Sequence, residues 1–418
     1  MATTLNKKMT LIKNVWIVNG LGEKKFLGFI VIEGDKILVV GKGNNWKLWE
    51  KSCDEVIDGD GLCVSPAYID THSHGSLDID YSTSNGGAHN ALAIFQLLST
   101  GLGDIVPTIM TSSVDGTIEA LRKNIKAMQI SSLGPKIRAI HLEGPCISKD
   151  PAALGAQNPN HVRLVAMDEY KKWREIVGPD VILIITIAPE VPGAANFMRL
   201  AKQMDSDKVI FLVGHSLATI QDIQCVADLI VGGTHILNAY RRYIDKKDGE
   251  WVCEITANPK FWATWIPCIY HFPDQNILTI FMRASGAEKS ILITDATKAA
   301  GMPDGTYNLG DQEVIAEGGA VWMQTQNEQG NPVRRLAGST LTMDRAVSNA
   351  VKHFGFSLAE AVRMATLNPA QFLGLDKEIG SLEVGKKANL VLFSFDYEQV
   401  VVRLTMLEGK IVYRSFVV

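Results

Sequence analysis

The sequence predicts a (β/α)8 barrel flanked by a small β-sandwich that both chain ends build together. From Ser65 onward, short apolar runs alternate with longer helical patterns, the texture of β/α units around a parallel sheet. Before that point, and again after the last helical stretch, the chain reads as short strands separated by turns. A third observation concerns chemistry, because several apolar runs end in a histidine or an acidic residue. The segments are Asp70-Thr71-His72-Ser73-His74-Gly75, His141-Leu142-Glu143-Gly144-Pro145, Gly214-His215-Ser216, Thr234-His235 and Thr294-Asp295-Ala296. The carboxyl ends of strands are where barrel enzymes keep their reacting groups, so this is the pattern of a metal-dependent hydrolase barrel.

In chain order, strand patterns cover residues 11–18, 26–33, 36–40 and 55–58, with Gly34-Asp35 as a hairpin turn. Eight barrel strands follow near Tyr68, Ile105, Ile137, Val181, Val209, Ile230, Ile266 and Ile291. Helical patterns include residues 113–131, 168–177 and, last, 357–373. Strand texture then returns over 380–393 and 400–413. Neither terminal segment has enough strands to bury a core alone, so the two should pair. The expected organisation is 1–64 and 376–418 as the two parts of the sandwich, with 65–375 as the catalytic barrel.

A chain of 418 residues, 46% hydrophobic and 21% charged, can bury a core of this size. The net charge of −4 and a pI near 6.2 supply no field that would attract nucleic acid or an acidic membrane. A small-molecule substrate is the expected partner. No apolar run reaches the roughly 18 residues of a membrane span, and residues 1–9 lack the apolar stretch of a secretory signal, so a cytoplasmic location is expected. Six cysteines without a C-x-x-C pair read as reduced, largely buried thiols.

Metal binding uses the strand-end residues most economically. Histidines at i and i+2 of a strand point the same way, so His72 and His74 can share an ion, with Glu143 adding an oxygen and His215 and His235 adding nitrogens from later strands. Zinc is the first expectation, and iron, manganese or cobalt suit the same donors. His89, His161 and His353 read as ordinary structural or surface histidines. Asp295, closing the run Ile291-Leu292-Ile293-Thr294, reads as a general acid-base group that takes a proton from water and passes it to a leaving amine. Its rival role is to cap the segment that follows.

These motifs resemble those of the N-acetylglucosamine-6-phosphate deacetylases of the amidohydrolase superfamily. Ala188-Pro189-Glu190, Gly233-Thr234-His235-Ile236-Leu237-Asn238-Ala239, Leu336-Ala337-Gly338-Ser339 and Ala365-Thr366-Leu367-Asn368-Pro369-Ala370 extend the match, which runs from about residue 10 to 413. The resemblance implies that Glu143, His215 and His235 hold the main divalent ion and that His72 and His74 hold a second, giving one or two per chain. It makes Asp295 the acid-base residue and His271 the group that polarises the substrate carbonyl. It also places Asn238 and Ala239 against the sugar phosphate, and implies a homodimer in which a cationic side chain reaches that phosphate across the subunit interface.

Departures from the family pattern fall in the substrate shell. Gln157 follows Gly155-Ala156 where members usually carry a sugar-contacting histidine, Cys268-Ile269 precedes His271, and Tyr240-Arg241-Arg242-Tyr243 is followed by Lys246-Lys247. Either the sugar-phosphate pocket is unchanged, with Arg241, Arg242, Lys246 and Lys247 supplying charge, or specificity has moved, since a pocket loses heavily when one hydrogen-bond partner is missing. The alternatives are an amidohydrolase for another N-acyl or cyclic amide, and a noncatalytic metal-bound paralogue. The presence of Asp295 and of every expected ligand argues against the last.

Overall fold

The computed structural model describes residues 7–130, 134–240, 250–326, 331–396 and 398–415. Its centre is a nearly closed barrel of eight parallel strands: β1 (Tyr68–Ser73), β2 (Leu102–Ile109), β3 (Ala139–Glu143), β4 (Ile182–Ile187), β5 (Val209–Val213), β6 (Ile230–Gly233), β7 (Trp262–Trp265) and β8 (Ser290–Leu292). Each strand pairs with the next. Strands such as β3 and β5 are buried along their whole length, which is why they read as unbroken apolar runs. All eight lie at or within two residues of the predicted positions, with Ile137, Val181 and Ile266 falling just outside β3, β4 and β7.

Closure runs through the residues just past β8. The Asp295 N–H donates to the His72 carbonyl at 2.9 Å, and the His74 N–H donates to the Ala296 carbonyl at 2.8 Å. The Thr294 hydroxyl donates to Asp70 Oδ2 at 2.6 Å, so a buried carboxylate on β1 clasps the last strand to the first. The same contacts therefore set the spacing between the β1 histidines and Asp295.

The chain ends pair with each other, as expected, and their strands form one eight-stranded mixed sheet. Leu390–Phe395 lies antiparallel to Cys63–Pro66, which runs parallel to Met9–Ile17. Ile12, Ile17, Ile30, Val64, Leu390 and Leu404 share a core drawn from both ends. Gly34-Asp35 does turn the hairpin between Phe26–Glu33 and Lys36–Lys42. Cys63–Pro66 is a strand the sequence analysis does not pick out, although it joins the terminal sheet to the barrel.

Two other features differ from expectation. The stretch 357–373 is two helices, Leu358–Ala365 and Leu367–Phe372, broken at Thr366. Pro369 falls in the first turn of the second, where a missing N–H costs nothing. Between β8 and these helices lies a four-stranded antiparallel sheet, Gly305–Leu309, Gln312–Glu317, Ala320–Gln326 and Pro332–Ser339, that has no counterpart in the predicted strands. It packs on the barrel through Met110, Ala156, Leu309, Val314, Val321 and Ala337.

Candidate metal centre

Each expected ligand sits at or just beyond a strand end. His72 and Glu143 close β1 and β3, and His74, His215, His235 and Asp295 follow β1, β5, β6 and β8 within three residues. The backbone at His215, His235 and Asp295 is left-handed, with φ of 50°, 30° and 49°. Non-glycine residues rarely adopt this region, and such strain collects at functional sites where the surroundings enforce it. The enforcing contacts are visible: the His235 N–H donates to Thr264 Oγ1 at 2.7 Å, and the Asp295 N–H is held by β1.

Glu143 is the hub. Its Oε1 lies 2.7 Å from His235 Nε2, 3.1 Å from His215 Nε2 and 3.4 Å from His72 Nε2, while Oε2 lies 3.3 Å from His74 Nε2. Asp295 Oδ1 faces the same two β1 histidines at 3.3 Å and 3.1 Å, and their Nε2 atoms are 3.2 Å apart. Two triplets of donor atoms are close enough to share one ion each: His72, Glu143 and His235, and His72, His74 and Asp295.

The donor chemistry fits divalent ions. His215 Nδ1 lies 3.0 Å and 3.2 Å from the carbonyls of Ala153 and Leu154, which can only accept, so the ring proton belongs on Nδ1. In that tautomer the Nε2 lone pair faces a Glu143 carboxylate oxygen, an arrangement that a cation between them satisfies. Burial would push both carboxyls up, but the neighbouring imidazoles, His215 and His72 at Glu143 and His72 and His74 at Asp295, hold them well below the usual carboxylate range. The two anions in turn overcome burial and raise His74 to about 10. The centre is thus an anionic pair whose balancing charge comes from a protonated His74 or from a cation in its place.

This floor opens into a cleft of about 1130 Å³. His271, Asn238, Ala239 and Gln157 line it. Burial lowers His271 to about 4, so its imidazole is neutral at physiological pH and its Nδ1 has no partner. The Asn238 amide nitrogen is likewise buried without one. Gln157 behaves differently from a free substrate contact, since its Oε1 accepts from the Thr111 N–H at 2.8 Å and its Nε2 donates to Glu143 Oε2 at 2.6 Å. Arg241, Arg242, Lys246 and Lys247 lie outside the described residues.

Three residues near the site escaped the sequence analysis. Thr111 obeys the same rule as the ligands, a polar residue just past an apolar strand, and its hydroxyl also donates to the Glu143 carbonyl at 2.6 Å. His141, inside the His-Leu-Glu motif, packs beneath His72 at 4.6 Å between ring centroids and bonds Thr186 Oγ1 at 2.7 Å. Arg335, on the inserted sheet, lines the cleft and donates to the Pro151 carbonyl at 2.6 Å. No sequence signal distinguishes it from its neighbour Arg334, which pairs outward with Glu317.

A (β/α)8 barrel with a histidine-carboxylate centre at its strand ends and a sheet from both termini defines a metal-dependent hydrolase class, and the chain belongs to the amidohydrolase family, whose pattern matches residues 63–412. Within that family it is similar to N-acetylglucosamine-6-phosphate deacetylase of Lysinibacillus sphaericus, at 31% identity over 96% of this chain and 97% of the other. It is also similar to N-acetylgalactosamine-6-phosphate deacetylase of Escherichia coli O157:H7, at 33% identity over 80% of this chain and 85% of the other. Among solved structures, a mutant N-acetyl-D-glucosamine-6-phosphate deacetylase from Mycobacterium smegmatis in complex with N-acetyl-D-glucosamine-6-phosphate superimposes with a TM-score of 0.82 at 26% identity, covering 97% of this chain and 99% of that one. The Thermotoga maritima deacetylase gives 0.80 at 27% identity, covering 97% and 100%. The chain is an amidohydrolase-family enzyme and a homologue of these deacetylases. Among the described residues no helix is long and apolar enough to cross a membrane.

Proposed function

We propose that the protein hydrolyses the N-acetyl amide of N-acetylglucosamine 6-phosphate, releasing glucosamine 6-phosphate and acetate. The observation that carries this reading is the convergence of Glu143, His72, His74, His215, His235 and Asp295 on one cleft in a chain homologous to deacetylases along nearly its whole length. Glu143, His215 and His235 hold one divalent ion, and His72 and His74, with Asp295 beside them, hold a second. An ion there supplies Lewis acidity toward the amide carbonyl and toward water.

The chain's own groups do the rest. Asp295 accepts the proton of the attacking water and returns it to the amine nitrogen as the C–N bond breaks, so the amine leaves neutral. His271, neutral and lining the cleft, donates a ring N–H toward the carbonyl oxygen as it gains charge. The unpartnered Asn238 amide and the Ala239 backbone meet the sugar phosphate, and Arg241, Arg242 and Lys246 add charge-assisted contacts, in a homodimer that completes the site.

A second reading has its own support, because one relative acts, by its name, on the galacto epimer. The deciding experiment assays purified, metal-replete protein against N-acetylglucosamine and N-acetylgalactosamine, each with and without a 6-phosphate. Fastest turnover of N-acetylglucosamine 6-phosphate is expected. Preference for the galacto compound selects the second reading, and hydrolysis of a different N-acyl or cyclic amide with neither sugar turned over removes both.

A further inference from the structure

Gln157 occupies an unusual place. It is 3% exposed, and both ends of its amide are committed: the Thr111 N–H to Oε1 at 2.8 Å, and Nε2 to Glu143 Oε2 at 2.6 Å. Thr111 also grips the other end of Glu143, its hydroxyl donating to the Glu143 carbonyl at 2.6 Å. The close approach of this hydroxyl needs Gly144, which has φ of 96° and where a Cβ would come within 2.1 Å of Thr111 Oγ1. Thr111, Gln157 and Glu143 therefore form a closed triangle that fixes the backbone and one carboxylate oxygen of Glu143 together.

The consequence lies in which oxygen remains. Oε2 takes the Gln157 donor at 2.6 Å and faces one histidine, His74, at 3.3 Å, whereas Oε1 is the atom that His235, His215 and His72 approach at 2.7, 3.1 and 3.4 Å. The Gln157 segment follows the short helix Pro151–Leu154, whose Ala153 and Leu154 carbonyls orient the His215 ring. One loop thus aims two of the expected ligands.

We propose that Gln157 is a positioning residue for the metal centre rather than a substrate contact, bracing Glu143 so that Oε1 is presented to the ion shared with His215 and His235. Groups that hold a ligand in its coordinating geometry are worth about 10–100-fold in metal affinity. This inference rests on the metal-centre reading above and assigns a different job to the side chain that departs from the family pattern.

The test titrates zinc into chelator-treated protein and reads affinity directly, with no substrate present. Gln157→Leu keeps volume and removes both hydrogen bonds, and should weaken zinc binding by about tenfold or more. Gln157→Asn keeps an amide one methylene too short to span Thr111 and Glu143, so it should fold as the wild type does and still lose affinity. In both variants the melting temperature of the metal-free protein should change far less than the affinity, which separates positioning from a merely structural role. Gln157→His, whose ring N–H can reach the carboxylate, should recover most of the loss. If Gln157→Asn binds zinc as tightly as the wild type, the brace is refuted while the metal centre stands. If the wild type takes up no divalent ion, the metal-centre reading itself fails.

Discussion

On the floor of the cleft, His72, His74, Glu143 and His235 are each only 2 or 3% exposed and hang from the ends of strands that are buried along all or nearly all of their length. On the outer wall, Val333, Arg335 and Leu336 are half-buried on an antiparallel sheet that alternates exposed and covered residues. The floor is cross-tied by ion-pair and hydrogen-bond contacts between β1, β3 and the residues after β8, while the wall meets it at one end, where the Ser339 N–H donates to the Asp295 carbonyl at 2.8 Å, and is otherwise tied to the loop beneath by the Arg335 contact to Pro151. The contrast follows from what each part must do. Reacting groups misplaced by an ångström lose most of their effect, so they stand on rigid elements, and a wall that selects a substrate can vary without disturbing them.

The sharpest way to break this comparison is at Asp295. Asp295→Asn leaves an oxygen facing His72 and His74 but removes the proton acceptor, and should lower turnover by about 10²–10⁴-fold. Metal content measured on the same preparation should stay near wild type. Turnover at the wild-type level would move the proton transfer to another residue and demote Asp295 to a structural tie.

Glu143→Gln attacks the hub that four histidines share. In the wild type, zinc at a hundred times its dissociation constant should stabilise the fold by about 2.7 kcal/mol, visible as a rise in melting temperature. The variant should lose most of that rise, because the amide offers no negative charge to the ion. An undiminished metal-dependent shift would exclude Glu143 from the ligand set.

A smaller effect is expected at the barrel seam. Thr294→Val deletes the 2.6 Å donor to Asp70 and leaves that buried carboxyl short of a partner, costing about 1–3 kcal/mol in denaturant unfolding. Because the same seam spaces the β1 histidines from Asp295, turnover should fall with it. A variant as stable as the wild type would mean that the strand pairing past β8 closes the barrel unaided.

The floor was legible in the sequence and the wall was not, for physical reasons. Barrel strands are buried on both faces, so β3, β5 and their neighbours stand out as apolar runs, and the residues at or just past their ends are the candidate ligands. The inserted sheet offers nothing so clear: Gly305–Leu309 and Gln312–Glu317 alternate exposed and covered positions over five or six residues, with Glu313 and Glu317 among them and Asp311 between the two, and read as loop. The Gln157–Glu143 contact spans a loop rather than a helix or strand period, so no spacing rule announces it. Thr111 follows the strand-end rule too, but a threonine carries no metal-ligating or acid-base signature that would single it out.

The mildest prediction tests whether the wall selects substrate at all. Arg335 is the only lysine or arginine among the described residues that line the cleft, and no carboxylate pairs with it there. One of its N–H groups is tied to the Pro151 carbonyl, which anchors the guanidinium and leaves other donors facing the opening. Arg335→Gln should therefore raise the KM for a phosphorylated N-acetyl sugar severalfold, with little change in kcat and little change for the unphosphorylated sugar, because a charge-assisted contact to phosphate is lost far from the reacting bond. An equal rise for both sugars would make Arg335 a strut for the Pro151 loop. A fall in kcat would show that the wall reaches the chemistry through the loop that carries Gln157 and orients His215, and the division between floor and wall would no longer hold.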